Sequence, residues 1–285
     1  MGHTKSAAPD PDGPIGLFDS GVGGGTVLRH IRRLLPHEDV LYLADQAHCP
    51  YGARPATEVR ALATANAQWL LGQGAKLIVV ACNTASAVAL HRLREQFPGV
   101  PFVGMVPPLK PAAQYTRTGV VGVLATPTTL HGELLQDVVR QWAAGLTVVS
   151  RVGHGLVELV EDGQLDGPEV QACLRRHLDW LLAAGADTVV LGCTHYPYLL
   201  PVIRRLVGPS VTVLEAGEAV ARQVQRVLEA QRLLREPKGQ TGQIRYYTTG
   251  DPTHLARLVR MLGLPPGTVA GIHLTTAEAP RGMGN

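Results

Sequence analysis

The chain has 285 residues, 45% of them hydrophobic and 17% charged, with a net charge of +3 at neutral pH. This is the composition of an ordinary globular protein with room for one large or two ordinary cores, and no apolar run reaches the roughly 18 residues of a membrane span. The arginines are spread along helical patterns such as RHIRRLL and VIRRLV without forming a basic block, so nothing favours a nucleic-acid partner.

Residues 1–13, MGHTKSAAPDPDG, lack the apolar core of a secretory signal and read as a disordered leader, which places the chain in the cytoplasm. The first predicted strand, Ile15–Phe18, ends on Asp19 and Ser20 and passes through a glycine-rich turn into the amphipathic segment TVLRHIRRLL. A strand at Val40–Ala44 precedes a Pro-Tyr-Gly turn at Cys49–Gly52 and the helical pattern ATEVRALATANAQWLL. Strands at Leu77–Ala81 and Phe102–Val106 follow. A second series runs through Gly119–Leu124, Leu146–Ser150, Thr188–Gly192 and Val211–Glu215, separated by the helical patterns HGELLQDVVRQWAA and PEVQACLRRHLDWLL. Such alternation predicts an α/β fold: two similar doubly wound domains with mostly parallel sheets and an active site in the cleft between them. The first domain takes residues 14–102 and, on the chain's return, 211–275. The second takes 103–210, and residues 276–285 form a frayed tail.

One stretch occurs twice. WLLGQGAKLIVVACNT, from Trp69, recurs 111 residues later as WLLAAGADTVVLGCTH, from Trp180, and each copy carries a cysteine just past its apolar run, Cys82 and Cys193. Ligands bind at such strand ends in open α/β sheets. If the halves face each other, the two thiols approach one cleft from opposite sides, an arrangement suited to moving a proton from one face of a carbon to the other. A following helix would lower each thiol's pKa through its dipole, with Asn83 or Thr194 available as cap. An isolated cysteine is more often a small core residue, but duplication at one offset favours chemistry.

Other candidates carry open readings. The FDSGVGGG turn suits an anionic group at a helix start, and with Asp45 after the next strand it resembles a dinucleotide fingerprint. The third glycine is missing, however, and a tight strand-to-helix connection explains it equally well. His195 could be acid, base, anion binder or packing residue. Zinc is not expected, because Cys193 and His195 lack the clustered spacing that would complete four ligands. The four cysteines are taken as free thiols, with Cys49 and Cys173 structural. His30, His37, His91, His131 and His177 are assigned to solvated faces.

In order and interval, FDSGVGG, PYG, ACNTAS, GCTHYP and AGEAVA closely resemble the glutamate racemases, over residues 14 to 255. The resemblance implies two α/β domains, interconversion of L- and D-glutamate for peptidoglycan, and no cofactor, neither pyridoxal phosphate nor metal. It also implies catalytic residues Cys82, Cys193, Asp19 and His195, with substrate contacts from Asp19, Ser20, Tyr51, Gly52, Asn83, Thr84, Thr126, Thr194 and His195. Glutamate is then the small-molecule partner, with no nucleic acid or membrane, and a homodimer is expected. The chain departs from the family pattern at Pro107–Lys110, at Gly153 and His154 ahead of the retained Leu159, Val160 and Glu161, and at the apolar Leu124 and Ala125 before Thr126. These departures bear on side-chain selection, closure and effector response. An aspartate or hydantoin racemase and a catalytically silent amino-acid-binding homologue are the alternatives.

Overall fold

The computed structural model describes residues 9–237 and 239–274, so the leader up to residue 8 and the tail at 276–285 lie outside the described residues. The strands are β1 (Ile15–Asp19), β2 (Val40–Ala44), β3 (Leu77–Val80), β4 (Phe102–Val103), β5 (Val120–Ala125), β6 (Thr147–Val152), β7 (Thr188–Gly192), β8 (Thr212–Leu214), β9 (Ile244–Thr248) and β10 (Thr268–Gly271). They form two sheets, ordered β10-β9-β2-β1-β3-β4 and β6-β5-β7-β8, and every pairing is parallel. The run β2-β1-β3-β4 has its counterpart in β6-β5-β7-β8, so the sequence repeat is a repeat of sheet topology. Among the described residues no helix is long and apolar enough to cross a membrane.

Alternation along the strands explains the covering of both faces of the first sheet. Ile15, Leu17, Tyr42, Leu77 and Val79 pack with helix Gly25–Leu34, while Phe18, Leu41, Leu43, Ile78 and Val80 pack with helices Ala56–Gly72 and Asn83–Gln96. The first of these cores continues into the second half through Leu156, Val160, Tyr196 and Leu199 to Val189 and Leu191. Helix ends repeat too. Gly74 and Gly185 hold φ of 82° and 91°, Ala75 N donates to Leu70 O at 3.1 Å, and Ala186 N donates to Leu181 O at 3.2 Å, the same glycine-terminated cap in both copies.

Three expectations change. Strand β8, assigned with the returning segment to the first domain, pairs with β7 in the four-stranded sheet, so the crossing back comes after Leu214. It is made by helix Gly217–Ala230, which packs on helix Gly25–Leu34. Strand Phe102–Val106 is reduced to two residues. Residues 9–13 are not a free leader: Gly13 N donates to Asp10 O at 2.9 Å and Lys76 Nζ to Pro11 O at 2.6 Å, because the buried lysine needs acceptors.

Lys76 also meets Glu38 at 2.6 Å, with the two side chains 0% and 1% exposed, and Glu38 accepts from Arg235 N at 2.9 Å. Burial lowers the lysine's pKa and the carboxylate opposes that shift. Replacing one partner strands the other charge without water. Lys76→Met is therefore expected to cost about 3–5 kcal/mol in denaturant unfolding, and Lys76→Met with Glu38→Leu to recover most of it. Equal losses in the single and double variants would show that the cost does not come from a stranded charge.

Candidate active site

The two sheets meet at the C-terminal ends of β1, β3, β5 and β7, and polar groups cross the gap between them. Thr194 Oγ1 donates to Asp19 Oδ2 at 2.7 Å, Thr84 Oγ1 and Thr126 Oγ1 are 2.9 Å apart, and Thr26 Oγ1 donates to the Thr194 carbonyl at 3.2 Å. Ser20, Tyr51, Gly52, Cys82, Asn83, Thr84, Thr126, Cys193, Thr194 and His195 line one small cavity here. Every residue singled out from sequence is thus brought together, Asp19 standing just behind the wall through Thr194. The cavity measures about 10 Å³, room for a single water and no more, so a larger ligand enters only when the sheets part.

The two cysteines share a place in the repeat but not an environment. Cys82 is itself the cap of helix Asn83–Gln96, its Sγ accepting from Ala85 N at 3.5 Å. Burial pushes its thiol up to about 12, nearby Asp19 adds to the rise, and the Ala85 amide only partly opposes it. This corrects the expectation of a thiol acidified by the helix start: desolvation outweighs the dipole. Past Cys193 the chain forms a short 3-10 turn, Tyr196–Leu199, before helix Leu200–Val207. There Cys193 Sγ faces His195 Nδ1 at 3.8 Å.

Sequence reasoning noted Glu161 only within the retained Leu159–Glu161 segment and missed its place in the site. This residue ends helix Leu156–Glu161, and its Oε1 lies 2.7 Å from His195 Nε2 while also accepting from Val22 N at 2.6 Å. Gln46 Nε2 donates to Oε2 at 2.8 Å. Burial alone would lower the pKa of His195, but hydrogen bonds with Cys193, Cys49 and Glu161 hold it well above the usual histidine range. Burial likewise works against the Glu161 carboxylate, yet its bonds with His195, Gln46 and Val22 keep it below the ordinary value. The pair is therefore carboxylate and imidazolium at neutral pH. Asp19 is raised by burial, a rise that His195, Gly21 N and Thr194 oppose. Asp19 and His195 are 0% and 1% exposed, so neither sits at an exposed strand end.

The glycine-rich turn is explained by the same carboxylate. A Cβ on Gly21 would lie 2.0 Å from Glu161 Oε1, and one on Gly23 would lie 2.4 Å from His195 Nδ1. The anion at this turn is a side chain of the protein, which removes the dinucleotide reading. Tyr51 contributes its backbone and ring, since its hydroxyl donates to Asp45 and accepts from Asn66 Nδ2 at 2.9 Å. Both polar atoms of the buried Asn83 amide lack a hydrogen-bond partner within the protein. Gly153 gives room to Tyr196, whose hydroxyl donates to its carbonyl at 3.2 Å, and Lys110 stacks on Trp142 at 4.0 Å. His177, expected at a solvated face, is buried with Nε2 2.9 Å from the His154 carbonyl. Among the described residues the one group able to hold a metal is Cys49, Glu161 and His195.

Residues 25–224 match the family model described as Asp/Glu/hydantoin racemase. A glutamate racemase of Roseiflexus sp. is 58% identical over 252 residues, covering 88% of this chain and 93% of its own. The crystal structure of glutamate racemase isoform RacE1 from Bacillus anthracis superposes with a TM-score of 0.83 at 32% identity, covering 92% of this chain and 98% of that one. The glutamate racemase of Francisella tularensis, solved in complex with D-glutamate, superposes with a TM-score of 0.81 at 26% identity, covering 94% and 100%.

The Glu161–His195 pair has a titration signature. The imidazole resonances of His195 are expected to stay in the protonated form through neutral pH in NMR titration, and Glu161→Gln to bring the transition down by about a unit or more. Because the folded-state pKa is the higher one, the pair's stabilisation is complete below the unfolded histidine's pKa and is lost as pH rises through the folded value. An ordinary His195 titration in the wild type would overturn the ion-pair assignment.

Proposed function

This chain belongs to the Asp/Glu/hydantoin racemase family, and on that premise we propose that it interconverts L- and D-glutamate by two-base proton transfer between Cys193 and Cys82. The observation that carries the proposal is the buried, unpartnered amide of Asn83 in a cavity that both cysteines line. Buried polar groups without partners mark a missing ligand, and an amide beside a helix start suits a carboxylate. In this reading the α-carboxylate takes Asn83 and the first-turn amides near Thr84 together with Thr194, whose donors offset the charge that develops as the α-proton leaves. Asp19 and Ser20 hold the ammonium group. The backbone at Tyr51 and Gly52, covered by Thr126, receives the side-chain carboxylate.

Proton bookkeeping follows from the environments. Cys193, facing the His195 imidazolium, takes the α-proton of the L form, and Cys82, kept as thiol by burial, delivers its own proton to the opposite face. The reverse reaction exchanges the roles. Glu161 holds His195 in orientation and charge, so acid-base exchange at Cys193 does not depend on solvent reaching the closed cavity. Substrate enters as the sheets separate and is oriented as they close. The reading needs no pyridoxal phosphate, since among the described residues the cavity is lined by thiols, hydroxyls, an amide and an imidazole and by no lysine that could form a Schiff base. We place the enzyme in the cytoplasm, as a homodimer supplying D-glutamate for peptidoglycan. Four free thiols suit that reducing compartment.

Incubation with L-glutamate in heavy water is expected to give loss of circular dichroism together with α-deuterium uptake, unchanged after dialysis against a chelator. Absence of both would remove the proposal, and a faster reaction on aspartate would change the substrate. Cys82→Ser and Cys193→Ser should each abolish racemisation in both directions. With a glutamate analogue carrying a β-leaving group, Cys82→Ser should still eliminate from the L form and Cys193→Ser from the D form, since one deprotonation then suffices. The opposite pattern reverses the facial assignment.

A further inference from the structure

On the far side of His195 from Cys193 lies a second group of donors that the reaction does not use as a set. The ligating atoms of Cys49, Glu161 and His195 fall within 4.8 Å of one another, and Glu161 Oε1 already sits 2.7 Å from His195 Nε2. One thiol, one imidazole and one carboxylate converging on a point is a donor set for a thiophilic divalent cation. His195 reaches the group from the cavity between the cysteines, and Cys49 and Glu161 line a separate cavity of about 430 Å³ together with Gln46, Glu158, Asp162, Asp251 and His254. Its carboxylates favour entry of a cation, and its volume leaves a fourth position for water. No sequence motif marks this set, because the three ligands come from a turn, a helix end and a strand end far apart in the chain.

We propose that this pocket is an inhibitory zinc site, bound through Cys49 Sγ, Glu161 Oε1 and His195 Nε2. Tetrahedral zinc places neighbouring donors roughly 3.3–3.7 Å apart, so the carboxylate–imidazole hydrogen bond widens and the thiol closes in. Two protons, one from the Cys49 thiol and one from Nε2, leave to solvent. His195 then exchanges a carboxylate partner for a metal and no longer serves Cys193. Cys49 and Glu161 do not line the cavity between the cysteines, so glutamate there does not displace the metal. The inhibition part of this inference rests on the racemase reading, whereas the binding part does not.

The test uses the full-length protein and zinc chloride alone. Equilibrium dialysis is expected to find one zinc per chain, lost in Cys49→Ala and retained in Cys173→Ala, and zinc-edge X-ray absorption of the wild type to find a single sulfur ligand. Racemisation should fall about 100-fold or more in kcat at saturating zinc, the scale of a lost acid-base partner. KM should stay unchanged, and a chelator should restore activity. Cys49→Ala should lose this sensitivity, judged against that variant's own zinc-free rate. Two sulfur ligands, relief by excess glutamate, or inhibition undiminished in Cys49→Ala would overturn the site and point to capture by Cys82 and Cys193. Cys49-dependent zinc binding by a protein that does not racemise glutamate would leave the site standing and remove the activity.

Discussion

The Glu161 carboxylate is the constraint on which the rest of the site depends. It leaves a helix of the second half, crosses the gap and accepts from Val22 N and Gln46 Nε2 of the first while holding His195. A buried carboxylate tolerates loss of water only when its oxygens are supplied with donors and a countercharge. Here the donors come from one sheet's turn and the countercharge from the other sheet's strand end. One group therefore contributes both to the charge state of the histidine and to the closeness of the two halves.

Duplication supplied symmetry of position, and the surrounding residues broke it. β3 and β7 end on cysteines equally placed beside the neighbouring strands β1 and β5. After Cys82 a long helix begins at once. After Cys193 the chain makes a tight turn that brings His195 back toward the thiol. One cysteine is thus raised by desolvation and a nearby carboxylate, and the other faces the imidazole of His195. The two positions are equivalent in the sheets, but their surroundings are not.

Much of this was legible in sequence. Strands β1 to β8 follow apolar β-branched runs, and the repeat located both cysteines and the polar pairs beside them. Strands β9 and β10 were not read, because Arg245 and the half-buried Tyr247 interrupt the apolar run of β9 and β10 lies largely exposed at the sheet edge. The strand at Thr212 was read correctly but given to the wrong sheet, since an apolar run does not announce its neighbour. Glu161 was read only as the end of the retained Leu159–Glu161 segment and given no role, because its partners His195 and Val22 are distant in the chain. The direction of the Cys82 shift was misread for a related reason: a helix start is visible in sequence, whereas full burial at the junction of two sheets is not.

The small cavity has a consequence for anyone seeking inhibitors. At about 10 Å³ the cavity between the cysteines offers no volume for a drug-sized molecule to occupy. Screening by docking into this closed form would return nothing of use. Compounds have to be selected against the parted sheets, where their affinity competes with the Thr194–Asp19, Thr84–Thr126 and Glu161 bonds that draw the halves together. A wedge that keeps those groups apart needs no resemblance to the substrate.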